Sequence, residues 1–177
     1  MKKYLVICFV IVLALSLTLT GCGPKTVIDV DAVTTASIVN HEDDLAVALS
    51  KNGNWIVAVV NDIYSKKDIV IEGDFHNKGD AASDLYRKLA LYSQDEDHNV
   101  TARFTLAAKK LTITSPNTKI QGGTFKGDVY VRANGFTVQD ATIDGNVYFS
   151  SQEYKDSFVL PTDEGKKGIV TGSVKVK

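Results

Sequence analysis

The sequence predicts a mainly β protein, a parallel β-helix of about 18-residue coils with a short N-terminal capping helix. Three observations carry this prediction. One stretch of chain repeats at a fixed offset, the interval from Ile120 to Val138. Its apolar positions alternate as they do in strands, with a glycine two residues before each copy of the strongest run. Beyond the apolar N-terminal run, one clear helix signal occurs, at residues 40–50.

The repeat places Ile120–Val131 over Val138–Phe149, where five of twelve positions are identical. Stepping back, Leu111-Thr112-Ile113 falls under Val129-Tyr130-Val131. Forward, the pattern returns at Gly172-Ser173-Val174-Lys175-Val176, so residues 150–168 form a protruding loop that lengthens one coil by about half. A single coil cannot bury its inward row, and stacking the next coil closes the core. The predicted inward columns are Leu111/Val129/Val147/Val174 and Ile113/Val131/Phe149/Val176. Gly127, Gly145 and Gly172 are expected to allow a corner before each strand. An antiparallel sandwich is the competing fold, and Asn134-Gly135 would suit its hairpins.

From the N-terminus, a basic start (Met1-Lys2-Lys3) and the apolar run Leu5–Leu15 read as a signal peptide over residues 1–21. Residues 4–20 also reach the lower end of a membrane span, although Ser16, Thr18 and Thr20 weaken it. Residues 22–36 lack a period and read as a lipid-proximal tether. The β-helix domain is expected over 37–177, with an N-terminal cap (37–73), a loop-rich insertion (74–100) and repeat coils (101–177). In the cap, Asn40 can start a helix with Glu42, Asp43 and Asp44 in its first turn, and Gly53 at positive φ can end it. Strands are expected over Trp55–Val60 and Asp68–Glu72. A further strand is expected at 87–93, followed by an acidic loop at 95–99. That loop lacks the glycine and distal glutamate of a calcium-binding EF-hand.

Two stretches and one motif resemble known families. Leu19-Thr20-Gly21-Cys22 resembles the lipobox of bacterial lipoproteins. The resemblance implies lipidation at Cys22, including palmitate, an anchor in the lipid membrane and an extracytoplasmic location. Removal of Lys2 and Lys3 then leaves a formal charge of −3. The order helix, strand, turn, strand resembles the N-terminal cap of pectate-lyase-like proteins, which implies a right-handed parallel β-helix. The Gly-Asp-Val, Gly-Asn-Val and Gly-Ser-Val copies resemble the repeats of bactofilins, polymer-forming β-helix proteins. This resemblance covers only the C-terminal repeats, from Leu111 to Val176, and the lipobox and N-terminal helix depart from a typical cytosolic bactofilin.

Composition excludes several function classes. Twenty basic against 21 acidic residues give no reason to expect nucleic acid as a partner. Two cysteines, both assigned to the exported leader and its lipid anchor, make no disulfide framework. His41, His76 and His98 show no metal-ligand spacing, and no residue set implies a cofactor or a catalytic site. A polysaccharide lyase-like enzyme stays as the third reading: pectate-lyase-like families use clustered carboxylates for calcium and an Arg or Lys to abstract a proton, whereas Asp128, Asp140 and Asp144 do not share a column. The outward column Thr112, Tyr130, Tyr148, Lys175 carries the candidate ligand site, with Tyr130, Tyr148 and Lys175 as the binding residues. Side-by-side tyrosines suit sugar rings, or they are ordinary cross-strand stacking. The expected function is a non-enzymatic module for cell-wall or extracellular polysaccharide, or a structural part of the cell envelope. The alternative is a self-assembling homo-oligomer through the edge of the last strand, with its repeat running to Val176.

Overall fold

The computed structural model describes residues 36–177; the signal peptide, Cys22 and nearly all of the tether lie outside the described residues. In chain order the elements begin with β1 (Ala36–Val39), α1 (Glu42–Leu49), β2 (Ile56–Val59), β3 (Ile63–Tyr64) and β4 (Ile69–Ile71). Next come β5 (Arg87–Ala90), β6 (Tyr92–Gln94), β7 (Val100–Arg103), β8 (Thr105–Ile113), β9 (Thr118–Gln121) and β10 (Thr124–Val131). The last are β11 (Thr137–Gln139), β12 (Thr142–Asp144), β13 (Val147–Phe149), α2 (Gln152–Asp156), β14 (Ile169–Val170) and β15 (Val174–Val176). No helix among the described residues is long and apolar enough to cross a membrane.

The molecule is mainly β, and its two main sheets are parallel. The first sheet has the order β1-β2-β5-β9-β11. In the second, β8 pairs with β3 and β4 on one side and β10 on the other, and β10 then pairs with β12 and β13, which pair with β14 and β15. The chain passes from one sheet to the other and back. Asn134-Gly135 is therefore a corner between β10 and β11 in different sheets, with Gly135 at φ 76°, and not a hairpin tip. The antiparallel pairing of named strands is confined to the small ribbon of β6 and β7.

The register follows the repeat. Val129 lies opposite Val147 and Val131 opposite Phe149, in each case one repeat interval along the chain. Val174 faces Val147 across a longer interval, because the 150–168 segment intervenes. Leu111, Val129, Val147, Ile113, Val131 and Phe149 have no exposed surface. Ile69 and Ile71 extend these two columns one strand further, under Leu111 and Ile113. The first sheet supplies the facing column of Val57, Leu89, Ile120 and Val138. Burying each of these side chains contributes about 1.5–3 kcal/mol. Only stacked neighbours make that burial available, which is why similar residues recur at a fixed spacing.

Helix α1 buries Leu45, Ala48 and Leu49 against the core. Two details differ from expectation. His41, not Asn40, stands at the cap position, and its side chain makes no capping bond. Instead Glu42 in the first turn accepts hydrogen bonds from Ser65 Oγ and Lys66 N. Gly53 is not at positive φ; a Cβ there would overlap the Ala48 carbonyl oxygen. The expected strand at 87–93 is two strands, because the chain turns at buried Leu91 between β5 and β6. β5 occupies the middle of the first sheet.

The segment 150–168 is mostly exposed, as a protruding loop should be, but it lays Tyr154 and Phe158 against the core. Ser151 caps α2 by accepting from Tyr154 N. Phe158 stacks on Phe136 at 5.4 Å and meets Phe149 at 5.3 Å. Val159 adds a parallel bridge to Thr137 at the edge of the first sheet.

Candidate functional site

In a strand whose inward residues are Val129 and Val131, Tyr130 must point outward. The same holds for Tyr148 between Val147 and Phe149. Parallel pairing sets the two tyrosines opposite each other, with ring centres 5.0 Å apart and planes tilted by 41°. Lys175 follows in the same column, opposite Tyr148, with its Nζ 5.6 Å from that ring centre. The structure thus brings together the three residues expected from sequence.

It also adds lysines that the column did not predict. Lys110 Nζ lies 4.9 Å from the Tyr130 ring centre, and Lys177 Nζ lies 4.5 Å from that of Tyr148 and 5.6 Å from that of Tyr130. Lys110 belongs to the neighbouring column, opposite Asp128, and bends across to the ring. Lys177 follows β15 directly. The signal available in the sequence was the alternation Lys175-x-Lys177, which puts both side chains on one strand face. Tyr130, Tyr148, Arg132, Ser150 and Lys177 line a shallow groove of about 230 Å³. Ammonium groups over tyrosine faces make cation–π contacts. Their charges remain available to an anion arriving from solvent.

Other expected contacts are resolved differently. Lys126 and Asp144 lie opposite each other but form no ion pair; Asp144 accepts from Thr171 Oγ1 at 3.1 Å. Asp128 Oδ1 accepts from both nitrogens of Asn146, and Asn146 Oδ1 accepts from Ser173 N. This polar column is a structural ladder. In the acidic loop Asp95 accepts from Asn99 N and Nδ2, and these bonds hold its carboxyl below the usual carboxylate range. Among the described residues no group of three or more His, Cys, Asp or Glu is placed to hold a metal ion.

Two of the three arginines are engaged structurally. Arg87 is fully buried and donates to the Ala48 carbonyl at 2.7 Å. Arg103 pairs with Asp140 at 2.8 Å and also bonds the Gly122 carbonyl, tying two corners of the chain together. Arg132 is exposed beside the tyrosine groove. Cys22, the expected lipidation site, lies outside the described residues.

No family model matches the sequence, and neither a curated protein nor a solved structure is found to match the chain, so its function is read from the chemistry of this site.

Proposed function

We propose that the chain is a lipid-anchored, extracytoplasmic module that winds as a right-handed parallel β-helix and binds a polysaccharide through Tyr130 and Tyr148. The β-helix reading is supported by the alternation of the chain between two parallel sheets and by the regular register of the repeat. The membrane reading is supported by the lipobox-like Leu19–Cys22. The binding reading rests on one observation, the half-buried tyrosine pair 5.0 Å apart with Lys110, Lys175 and Lys177 around it. A sugar ring lies on the phenol faces, and the ammonium groups favour acidic sugars over neutral ones. No bond-breaking step is part of this role.

The test is binding of soluble cell-wall and uronic-acid polysaccharides to the full chain, held in a neutral detergent. The double variant Tyr130→Ala/Tyr148→Ala is compared with the parent. We expect affinity to drop by about tenfold or more, since each aromatic contact contributes on the order of 1 kcal/mol. Unchanged affinity in a variant that melts like the parent would remove the site.

A further inference from the structure

The outward face of the first sheet holds a separate cluster. Leu89 and Ile120 point into the core, so their neighbours Lys88 and Lys119 point out. They lie directly opposite each other on β5 and β9, about 4.8 Å apart in the ladder direction. Like charges in that relation repel. The ion pairs found among the described residues are Lys67–Asp43 and Arg103–Asp140, so neither lysine has a carboxylate partner there. Phenols frame them instead. Lys88 Nζ donates to Tyr92 Oη at 2.8 Å, and Lys119 Nζ lies 5.5 Å from the Tyr86 ring centre. Tyr86 in turn packs on Trp55 at 5.9 Å. The carbonyl of Lys166, from the segment after β13, accepts from Asp140 N at 2.9 Å. Burial first, and then the charges of Lys88 and Lys166, hold the Lys119 ammonium below its ordinary pKa. Two lysines paired across the ladder, with no carboxylate partner among the described residues, concentrate positive charge where an anion is attracted.

We propose that Lys88 and Lys119, with Tyr86 and Tyr92, form a second binding site, for the carboxylates of an acidic polysaccharide. The carboxylate bridges Lys88 and Lys119, and the sugar ring rests against the tyrosines. The tyrosine–lysine combination selects a carboxylated sugar over a bare polyanion, because the phenols offer ring contact as well as hydrogen bonds. The site uses none of the residues of the Tyr130–Tyr148 groove, so it stands or falls independently of that groove.

The experiment uses the full chain carrying Tyr130→Ala/Tyr148→Ala, in neutral detergent, with polygalacturonate, neutral dextran and polyphosphate as probes. Polygalacturonate is expected to bind more tightly than both others. Adding Lys88→Gln/Lys119→Gln is expected to weaken it by roughly tenfold per lysine, the scale of a hydrogen bond to a charged group. Unchanged affinity in the lysine variant overturns the site. Equal binding of polyphosphate and polygalacturonate reduces it to a diffuse positive field and overturns the sugar assignment, as does equal binding of dextran. Should the lysine variant fail to fold, the Cε signals of Lys88 and Lys119 are followed by NMR in the unsubstituted chain. Shifts of both on adding polygalacturonate support the site, and their absence overturns it.

Discussion

Arg87 has no exposed surface, yet it carries a guanidinium into the core. Its Nη2 donates to the Ala48 carbonyl near the end of α1, and its Cζ lies 4.0 Å over the Phe75 ring. A cation at a helix C-terminus satisfies orphan carbonyls and complements the helix dipole. Among the described residues Nε and Nη1 find no partner, and burial lowers the pKa to about 10. Because the folded value lies below the unfolded one, the penalty for burying this charge is present at neutral pH. Arg87→Ala removes the capping bond and leaves a hole, so we expect a loss of about 2–4 kcal/mol by urea unfolding. Arg87→Met keeps the volume without the charge and should lose less. An alanine variant as stable as the parent would refute the capping role. The sequence does not reveal this residue, since a lone arginine before an apolar run reads as a surface charge. Only the alternation with Leu89, one strand step away, marks position 87 as inward.

At the scale of elements, what is legible is what repeats. The columns through Val129 and Val131 follow from the fixed offset, and so does the facing of Tyr130 and Tyr148. β3 and the central placement of β5 are not legible. Ile63 meets Leu106, and Arg87 meets Thr118, across intervals much longer than a coil, because the ribbon of β6 and β7 and the loop before β5 intervene. Lys88 and Lys119 escape notice as a pair for the same reason. The glycines stand out in the sequence, but the corner they are expected to allow explains them only in part. Gly127 alone of the three has positive φ, at 136°, where the register of β8 and β10 slips. What Gly127, Gly145 and Gly172 share is closeness: a Cβ on each would strike a carbonyl oxygen of the strand beneath, from Ala108, Gly127 and Gly145 respectively. Gly127→Ala combines that overlap with backbone strain and should lower stability by about 3 kcal/mol or more. Gly165, at φ 76° with open space around it, is the control, and its alanine variant should lose only about 1 kcal/mol. Equal losses in urea unfolding would mean that strain, and not stacking distance, selects glycine at 127.

For the whole molecule, a net charge of −1 conceals two outward faces that each set lysines beside tyrosines. Composition alone could not show this, since charge averages over faces while binding does not. The face of Tyr130 and Tyr148 depends on the register of the repeat, and that register can be tested directly. Deleting 124–141 removes one whole repeat and joins Gly123 to Thr142, the partner of Thr124. Phe125 is then replaced by Ile143, Val129 by Val147 and Tyr130 by Tyr148, so each inward place stays apolar and the outward tyrosine is kept. Deleting 124–140 stops one position short of a repeat. It puts Thr142 in the place of Phe125 and Asn146 in that of Val129, turning the inward row polar. The first deletion is expected to fold, with a cooperative melt at lower temperature and a smaller urea m-value, because less surface is buried. The second is expected to show no cooperative transition. If the two deletions unfold alike, the repeat is not the unit that builds the core, and the side-by-side placement of Tyr130 and Tyr148 loses its structural cause.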